Sequence, residues 1–410
     1  MSAHPHWLAK PLAASLQQQF ADDIEYQVAN GCFVYDLEQL QQHLAKLQQQ
    51  DVIKLWFAVK ANPLSRIIQT LDQAGFNFDV ASTGELSQVL AQGILPERVL
   101  NTGPAKSQRQ IHAFIKQGVR VFVAESINQL KWINQAAAIE QVTPQVLLRV
   151  QLQWPEGEKN PLGGNALTPF GLSVAEWQHV QVSDFLAIDL CGLHIFQWGN
   201  MLSNEKMYQL WQQMVPPLCQ LAESIGMQLR ILDLGGGLGI DYLQQGQQLS
   251  WPKIIEDLAK IKSEAGVEEL WLELGRYAVA ECGYYLTPVV DRKTNYAQEQ
   301  LVLAGGINHL LRPAITEQPF PVKLLRDSHA SVKGFDVHGP LCTSLDKLGH
   351  LPLPDDIAVD DILVFGLCGA YGFTESMPFF LCHEIASEWV WQNDKLTPVR
   401  DAEPANWYLR

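Results

Sequence analysis

The chain is poor in the residues that staple or ligate. Its seven cysteines, Cys32, Cys191, Cys219, Cys282, Cys342, Cys368 and Cys382, are scattered, odd in number and without a CxxC pair. That argues against a disulfide framework and against a structural zinc site. None of its eleven histidines stands in an HExxH spacing, so no metal is expected. Positive charge is scarce as well. With 29 Lys and Arg against 44 Asp and Glu, the formal net charge is -15, which disfavours nucleic acid and anionic membrane surfaces as partners. A basic pocket for one small anion remains compatible with that balance. No apolar run reaches the roughly 18 residues that would cross a bilayer. The start, Met1-Ser2-Ala3-His4-Pro5-His6-Trp7, has neither the basic region nor the apolar core of a secretory signal. The cytoplasm is the expected location. What the chain does have is apolar content, 47% over 410 residues, enough for substantial cores in two or three domains.

Apolar strands alternate with helical stretches through the first half. Strands are predicted at 32–35, 55–59, 78–81, 99–100, 119–123, 146–150, 191–196 and 230–234, and helices at 37–50, 65–74 and 84–92. About eight such units fit a parallel (β/α)8 barrel, whose strand ends on one face carry the chemistry. The rhythm changes near residue 274. From 284 onward, apolar runs at 301–303, 322–325 and 361–365 are separated by Pro, Gly and Asn clusters, the pattern of a mainly antiparallel β domain. The expected fold class is therefore α/β, a (β/α)8 barrel over 32–274 and a C-terminal β domain over 275–410. Residues 1–31 form an N-terminal segment expected to pack with the β domain.

Five segments carry candidate chemistry. In Phe57-Ala58-Val59-Lys60-Ala61-Asn62 a lysine ends an apolar run. Burial there would lower its pKa and free a neutral amine for an aldehyde, with pyridoxal phosphate (PLP) the natural partner; taken alone, the window fits a lysine that snorkels into solvent at least as well. The turn Gly235-Gly236-Gly237 can bring backbone N–H groups close to a phosphate, or can be only a tight βα turn. A dinucleotide site is disfavoured, because the spacing is not GxGxxG. Glu273 interrupts an apolar strand and needs a cation, either a pyridine nitrogen or Arg276 nearby. Cys342, after a Gly-Pro turn and four residues before Asp346, is either a thiol proton donor with an orienting acid or a loop cysteine. Tyr371, among small residues, could reach a phosphate oxygen.

In this order the five segments resemble the fold type III PLP-dependent decarboxylases, the group of ornithine, arginine and diaminopimelate decarboxylases, over about residues 32–380. The resemblance implies an alanine racemase-like barrel in which Lys60 bonds the cofactor covalently. Gly235, Gly236, Gly237, Gly275 and Arg276 then hold the phosphate with help from Tyr371, and Glu273 pairs with the pyridine nitrogen. Cys342 returns a proton after CO2 leaves. It further implies a homodimer with shared active sites, the cysteine loop arriving from the partner subunit. Asp79, Ser82 and Arg149 match positions that line the cofactor pocket.

Departures from the family pattern bear on the ring and the substrate. Where relatives place a histidine on the ring, this chain has Phe196, with His194 two residues earlier on the same strand face. Thr343 follows Cys342 where ornithine and diaminopimelate enzymes place an acid for a distal ammonium. Asn308 and Arg312 resemble the segment that binds a distal carboxylate, although Arg312 could also be a structural arginine at a sheet edge. Leu272 to Tyr285, Cys342-Thr343 and Gly369-Ala370-Tyr371-Gly372 are most similar to siderophore-biosynthesis decarboxylases of the staphyloferrin B, achromobactin and vibrioferrin type. The implied substrate is a citryl amino acid, with Asn308, Arg312, Thr343 and Asp346 as substrate-side residues. The alternatives are an aminoacyl group on an acyl carrier protein, diaminopimelate, and a noncatalytic PLP-fold regulatory protein.

Overall fold

The computed structural model describes residues 8, 10–21, 30–153 and 168–409. The chain forms two compact units, one of Leu44–Ile240 with Gln247–Tyr277, the other of Met1–His43, Asp241–Gly246 and Ala278–Arg410. The first predicted strand, β1 (Cys32–Asp36), belongs to the second unit and not to the barrel, a correction to the 32–274 boundary. The barrel is closed by β2 (Lys54–Ala58), β3 (Asn77–Val80), β4 (Val99–Asn101), β5 (Val121–Ala124), β6 (Gln145–Arg149), β7 (Asp189–His194), β8 (Ile231–Asp233) and β9 (Glu269–Leu274). These strands are almost wholly buried because they face side-chain layers inside and helices outside. Trp56, Leu100, Val121, Val123, Leu147, Cys191, Ile231 and Trp271 fill the interior. Ser82, Ser107, Ser126 and Ser203 each accept a backbone N–H at the start of the helix that follows, the ordinary N-cap.

The second unit is a mainly antiparallel sheet, as expected. Its strands are β10 (Gly283–Asn295), β11 (Gln298–Leu303), β12 (Val322–Leu324), β13 (Val332–His338), β14 (Lys347–Pro354), β15 (Ile362–Phe365), β16 (Glu384–Ile385), β17 (Ser387–Gln392), β18 (Lys395–Arg400) and β19 (Glu403–Pro404). The main path runs β14-β13-β11-β10-β1-β17-β18, with β15 and β12 attached through β10 and β16 paired with β19. Two pairs run parallel, β1 with β17 and β11 with β13. Leu8, Leu12 and Leu16 share a core with Cys32, Val34, Tyr284, Leu286, Val364 and Trp389. The helix Lys10–Ala21 thus sets an apolar stripe on this sheet. Residues 1–7, 9 and 22–29 of the N-terminal segment lie outside the described residues. Among the described residues, no helix is long and apolar enough to cross a membrane.

Candidate active site

Strand register brings the singled-out barrel residues to one end. Ala58, the last residue of β2, pairs with Asp79 of β3; Arg149 of β6 pairs with His194 of β7, which pairs with Asp233 of β8; Trp56 of β2 pairs with Glu273 of β9. All sit at or near the C-terminal ends of parallel strands, where a barrel of this kind collects its functional groups. A 3-10 turn, Val59–Ala61, follows β2 and carries Lys60.

A cavity of about 280 Å3 opens among these ends, lined by Lys60, Thr102, Gly103, Arg149, Phe170, Phe196 and Glu273 with six neighbours. Lys60 differs from the sequence expectation: the residue is exposed, because the strand stops at Ala58 and the turn lifts the lysine off the apolar run. Burial therefore does not activate it. Its setting is electrostatic, since its charge acts on both Asp79 and Glu273. Arg149 is buried and donates from Nη1 to Glu125 Oε1 at 2.9 Å, with its guanidinium 4.7 Å from the Phe170 ring centre. Glu125 also accepts the Gly103 and Gly171 amides, so one buried carboxylate ties two loops and an arginine together. Phe196 lines the cavity; His194 lies deeper on the same strand face.

Behind the cavity the charge is sorted among three buried acids. Burial raises the Asp79 and Asp233 carboxyls well above their ordinary range, and the charge of Glu273 raises both further. Burial works the same way on Glu273, but His194, Lys60 and Arg149 outweigh it and hold that carboxyl below its ordinary range. Asp79 and Asp233 are therefore the weaker acids of the three and Glu273 the stronger. Thr102 Oγ1 donates to Asp79 Oδ1 at 2.5 Å, and Asp233 Oδ1 accepts the Gly235 amide at 2.8 Å. Glu273 Oε1 lies 3.2 Å from His194 Nε2, yet the atoms are not aligned as a hydrogen bond. Glu273 Oε1 thus has accepting capacity left in a buried place, which calls for a donor.

The residues present fit PLP. An amine on the cavity wall, an aromatic face at Phe196 and an underused buried carboxylate oxygen are what an aldehyde on a pyridinium ring requires. The glycine turn after β8 lies against the same groups. A Cβ on Gly235 would stand 2.6 Å from Phe196 Cβ, and one on Gly236 would stand 2.3 Å from the Glu273 carbonyl oxygen. Gly235 and Gly237 also hold left-handed φ values of 63° and 101°. Because Gly236 meets backbone rather than a flexible side chain, Gly236→Ala should cost about 1–3 kcal/mol. Thermal unfolding and cofactor titration should show a lowered Tm together with weakened PLP binding. Gly275 and Arg276 follow β9 directly. Ser82 departs from expectation: its Oγ caps the helix Thr83–Ala91, and Ala81 lines the cavity instead.

The remaining candidates lie in the β unit. Cys342 is exposed on the loop between β13 and β14, and Thr343 Oγ1 accepts the Leu345 amide at 3.3 Å. Asp346 stands otherwise than expected. It is buried, its two oxygens accept the Ile307 and Leu341 amides at 2.8 Å, and it serves as the loop's anchor rather than as a group facing a substrate. Asn308 is buried too, with Oδ1 closing a turn on the Gly306 amide. Arg312 Nη1 reaches both oxygens of Glu375 at 2.8 Å, and its guanidinium lies 4.5 Å from the Tyr371 ring centre. Tyr371 holds a left-handed φ of 53°, a strained state for a residue with a Cβ.

Sequence reasoning passed over Glu125, Asp233, Glu375 and Lys106. Lys106 is buried, donates to the Gly103 carbonyl at 2.5 Å, and has its ammonium pushed down to about 8 by burial against the pull of Glu125. A signal existed for Glu125 and Asp233, since each is a lone acid at the end of an apolar barrel strand. Lys106 and Glu375 carry no comparable local mark.

Known proteins resemble this chain along most of its length. The family model for the pyridoxal-dependent decarboxylase, pyridoxal binding domain, matches residues 37–280. The chain is 28% identical over 368 residues to the 2-[(L-alanin-3-ylcarbamoyl)methyl]-2-hydroxybutanedioate decarboxylase of Staphylococcus aureus, covering 86% of this chain and 91% of that one. It is 24% identical over 388 residues to the L-glutamyl-[BtrI acyl-carrier protein] decarboxylase of Niallia circulans, covering 90% of each. It is 29% identical over 328 residues to the diaminopimelate decarboxylase of Pseudomonas aeruginosa, covering 78% of this chain and 77% of that one. The structure of diaminopimelate decarboxylase from Helicobacter pylori has the same fold, with a TM-score of 0.83 at 22% identity over 92% of this chain and 96% of that one. A family model that spans the barrel, and relatives of one reaction class along most of their length, place the chain in the pyridoxal-dependent decarboxylase family, as a carboxy-lyase that uses pyridoxal 5'-phosphate.

Proposed function

We propose that the enzyme removes the α-carboxylate of an amino acid whose side chain ends in a citryl or similar carboxylate-bearing group, as in citryl-diaminopropionate or citryl-serine, for a carboxylate siderophore. One observation carries this reading. The loop Gly339–Asp346 contains a single acid, Asp346, and both of its oxygens are taken by backbone amides. With Thr343 beside Cys342, that loop offers no carboxylate for a distal ammonium, which ornithine or diaminopimelate would need. Arg312 supports the same direction, because it already holds a carboxylate in this chain and its Nε and Nη2 donors remain for another. The Staphylococcus aureus relative, whose named substrate is a citryl conjugate of diaminopropionate, points the same way.

In this reading Lys60 would hold the cofactor through its amine. Gly235 to Gly237, Gly275 and Arg276 would hold its phosphate, Phe196 would pack on its ring, and Glu273 would pair with its nitrogen. When bound, the ring takes up the electron pair left by the departing carboxylate. Arg149 is held in place on the cavity wall by its ion pair with Glu125. Cys342, brought from a second copy in a cytoplasmic homodimer, gives its thiol proton to the carbon that lost CO2. A second reading, an aminoacyl group on an acyl carrier protein, is favoured by the Niallia circulans relative.

Both are tested by supplying the PLP-loaded protein with citryl-diaminopropionate, citryl-serine, diaminopimelate, ornithine and a glutamyl carrier protein, and measuring released CO2. A citryl compound should exceed diaminopimelate in kcat/KM by at least about tenfold, the order expected when a buried polar partner is missing for one substrate. Turnover of diaminopimelate with none of the citryl compounds would remove the proposal and leave the decarboxylase assignment standing.

A further inference from the structure

We propose that His194 is a positioning residue that acts on the cofactor through Glu273, holding this carboxylate, rather than that of Asp233, aimed into the cavity. The cluster is a closed one. His194, Asp233 and Glu273 are 1%, 0% and 8% exposed, and their nearest polar atoms all lie within 4.8 Å of one another. Both ring nitrogens of His194, Asp233 Oδ2 and Glu273 Oε1 lack an aligned hydrogen bond. Four underused polar atoms in one buried cluster mark a place where small rotations settle which pairs form, and each unmet group is costly.

The strand register explains why His194 has two possible partners. It pairs directly with Asp233 across β7 and β8, so the imidazole could serve either acid. The ring approaches Glu273 instead, at 3.2 Å. The charged and titratable groups around that carboxylate include Lys60 from the turn after β2, Asp79 from β3, Lys106 from the loop after β4, Arg149 from β6, His194 from β7 and Asp233 from β8. Among the groups that hold the Glu273 carboxyl low, His194 acts most strongly. Lys60 is committed to the cofactor aldehyde and Arg149 to Glu125. Because Phe196 supplies only an uncharged face to the cavity, the one imidazole of this strand end works from beneath, on the carboxylate rather than on the ring.

The test uses apoprotein and PLP itself, by fluorescence titration across pH values from about 6 to 8.5, with Tm measured alongside. In His194→Gln the amide nitrogen falls near the position of Nε2, and in His194→Asn near that of Nδ1. His194→Ala and His194→Asn should weaken PLP binding at least tenfold and shift the pH dependence of the dissociation constant. His194→Gln should stay within about threefold of wild type, because its amide nitrogen can still reach Glu273. Wild-type affinity in His194→Ala, or equal loss in the Gln and Asn variants with only a lowered Tm, would overturn the proposal. If the alanine variant does not fold, the Gln against Asn comparison decides alone.

Discussion

Replacing Lys60 by alanine should reduce CO2 release by at least about 1,000-fold, the scale on which covalent catalysis fails when its nucleophile is removed. Three features make the effect that large. Lys60 stands on the turn directly after β2, at the mouth of the cavity. Its neighbours Asp79 and Glu273 are carboxyls that cannot take over as amines. The other lysine nearby, Lys106, is buried with its ammonium on the Gly103 carbonyl, outside the residues that line the cavity. The measurement has two parts. Borohydride reduction of the PLP-loaded wild type followed by peptide mapping should place the label at residue 60, and the alanine variant should take up none while keeping the wild-type Tm within a few degrees. A label at Lys106, or full activity in the variant, would refute the assignment.

Glu273→Gln should cost roughly 100- to 1,000-fold in kcat/KM, about 3–4 kcal/mol of barrier, the range for losing one preorganised charge at a reacting group. The substitution keeps the shape of the side chain and removes only the charge. Of the three buried acids, Glu273 is the one whose carboxyl is held below its ordinary range, and its charge is one of the causes that raise Asp79 and Asp233. Removing it relaxes both neighbours toward ordinary acidity, so part of the negative charge returns at Asp233. Glu273→Gln combined with Asp233→Asn should therefore be worse than the single change in steady-state kinetics. A double variant no worse than Glu273→Gln would show that Asp233 takes no share.

Much of the barrel was legible because parallel strands buried on both faces appear as plain apolar runs, and Lys60, Asp79, Arg149 and Glu273 each interrupt or end one. The same rule misplaced Cys32–Asp36. An apolar strand looks alike whichever sheet receives it, and the partners of β1 are set by pairings with Leu286 and Ser387, far along the chain. Periodicity also overstated the burial of Lys60, since it cannot tell the last residue of a strand from the first of the turn above it. The quartet of Glu125, Asp233, Asp346 and Glu375 shows the other limit. An acid's meaning depends on what meets it, and Asp346 meets the Ile307 amide while Glu375 meets Arg312.

The parallel pairing of β1 with β17 has a consequence for how the protein is made. Tyr35 Oη donates to Glu388 Oε1 at 2.9 Å across 353 positions of chain. Strand β1 thus waits for residues far along the chain before it acquires one of its two neighbours, whereas the barrel has all eight of its staves once Leu274 has left the ribosome. Truncation before Ser387 therefore removes an inner strand of the sheet and leaves the edge of β1 bare for stray association.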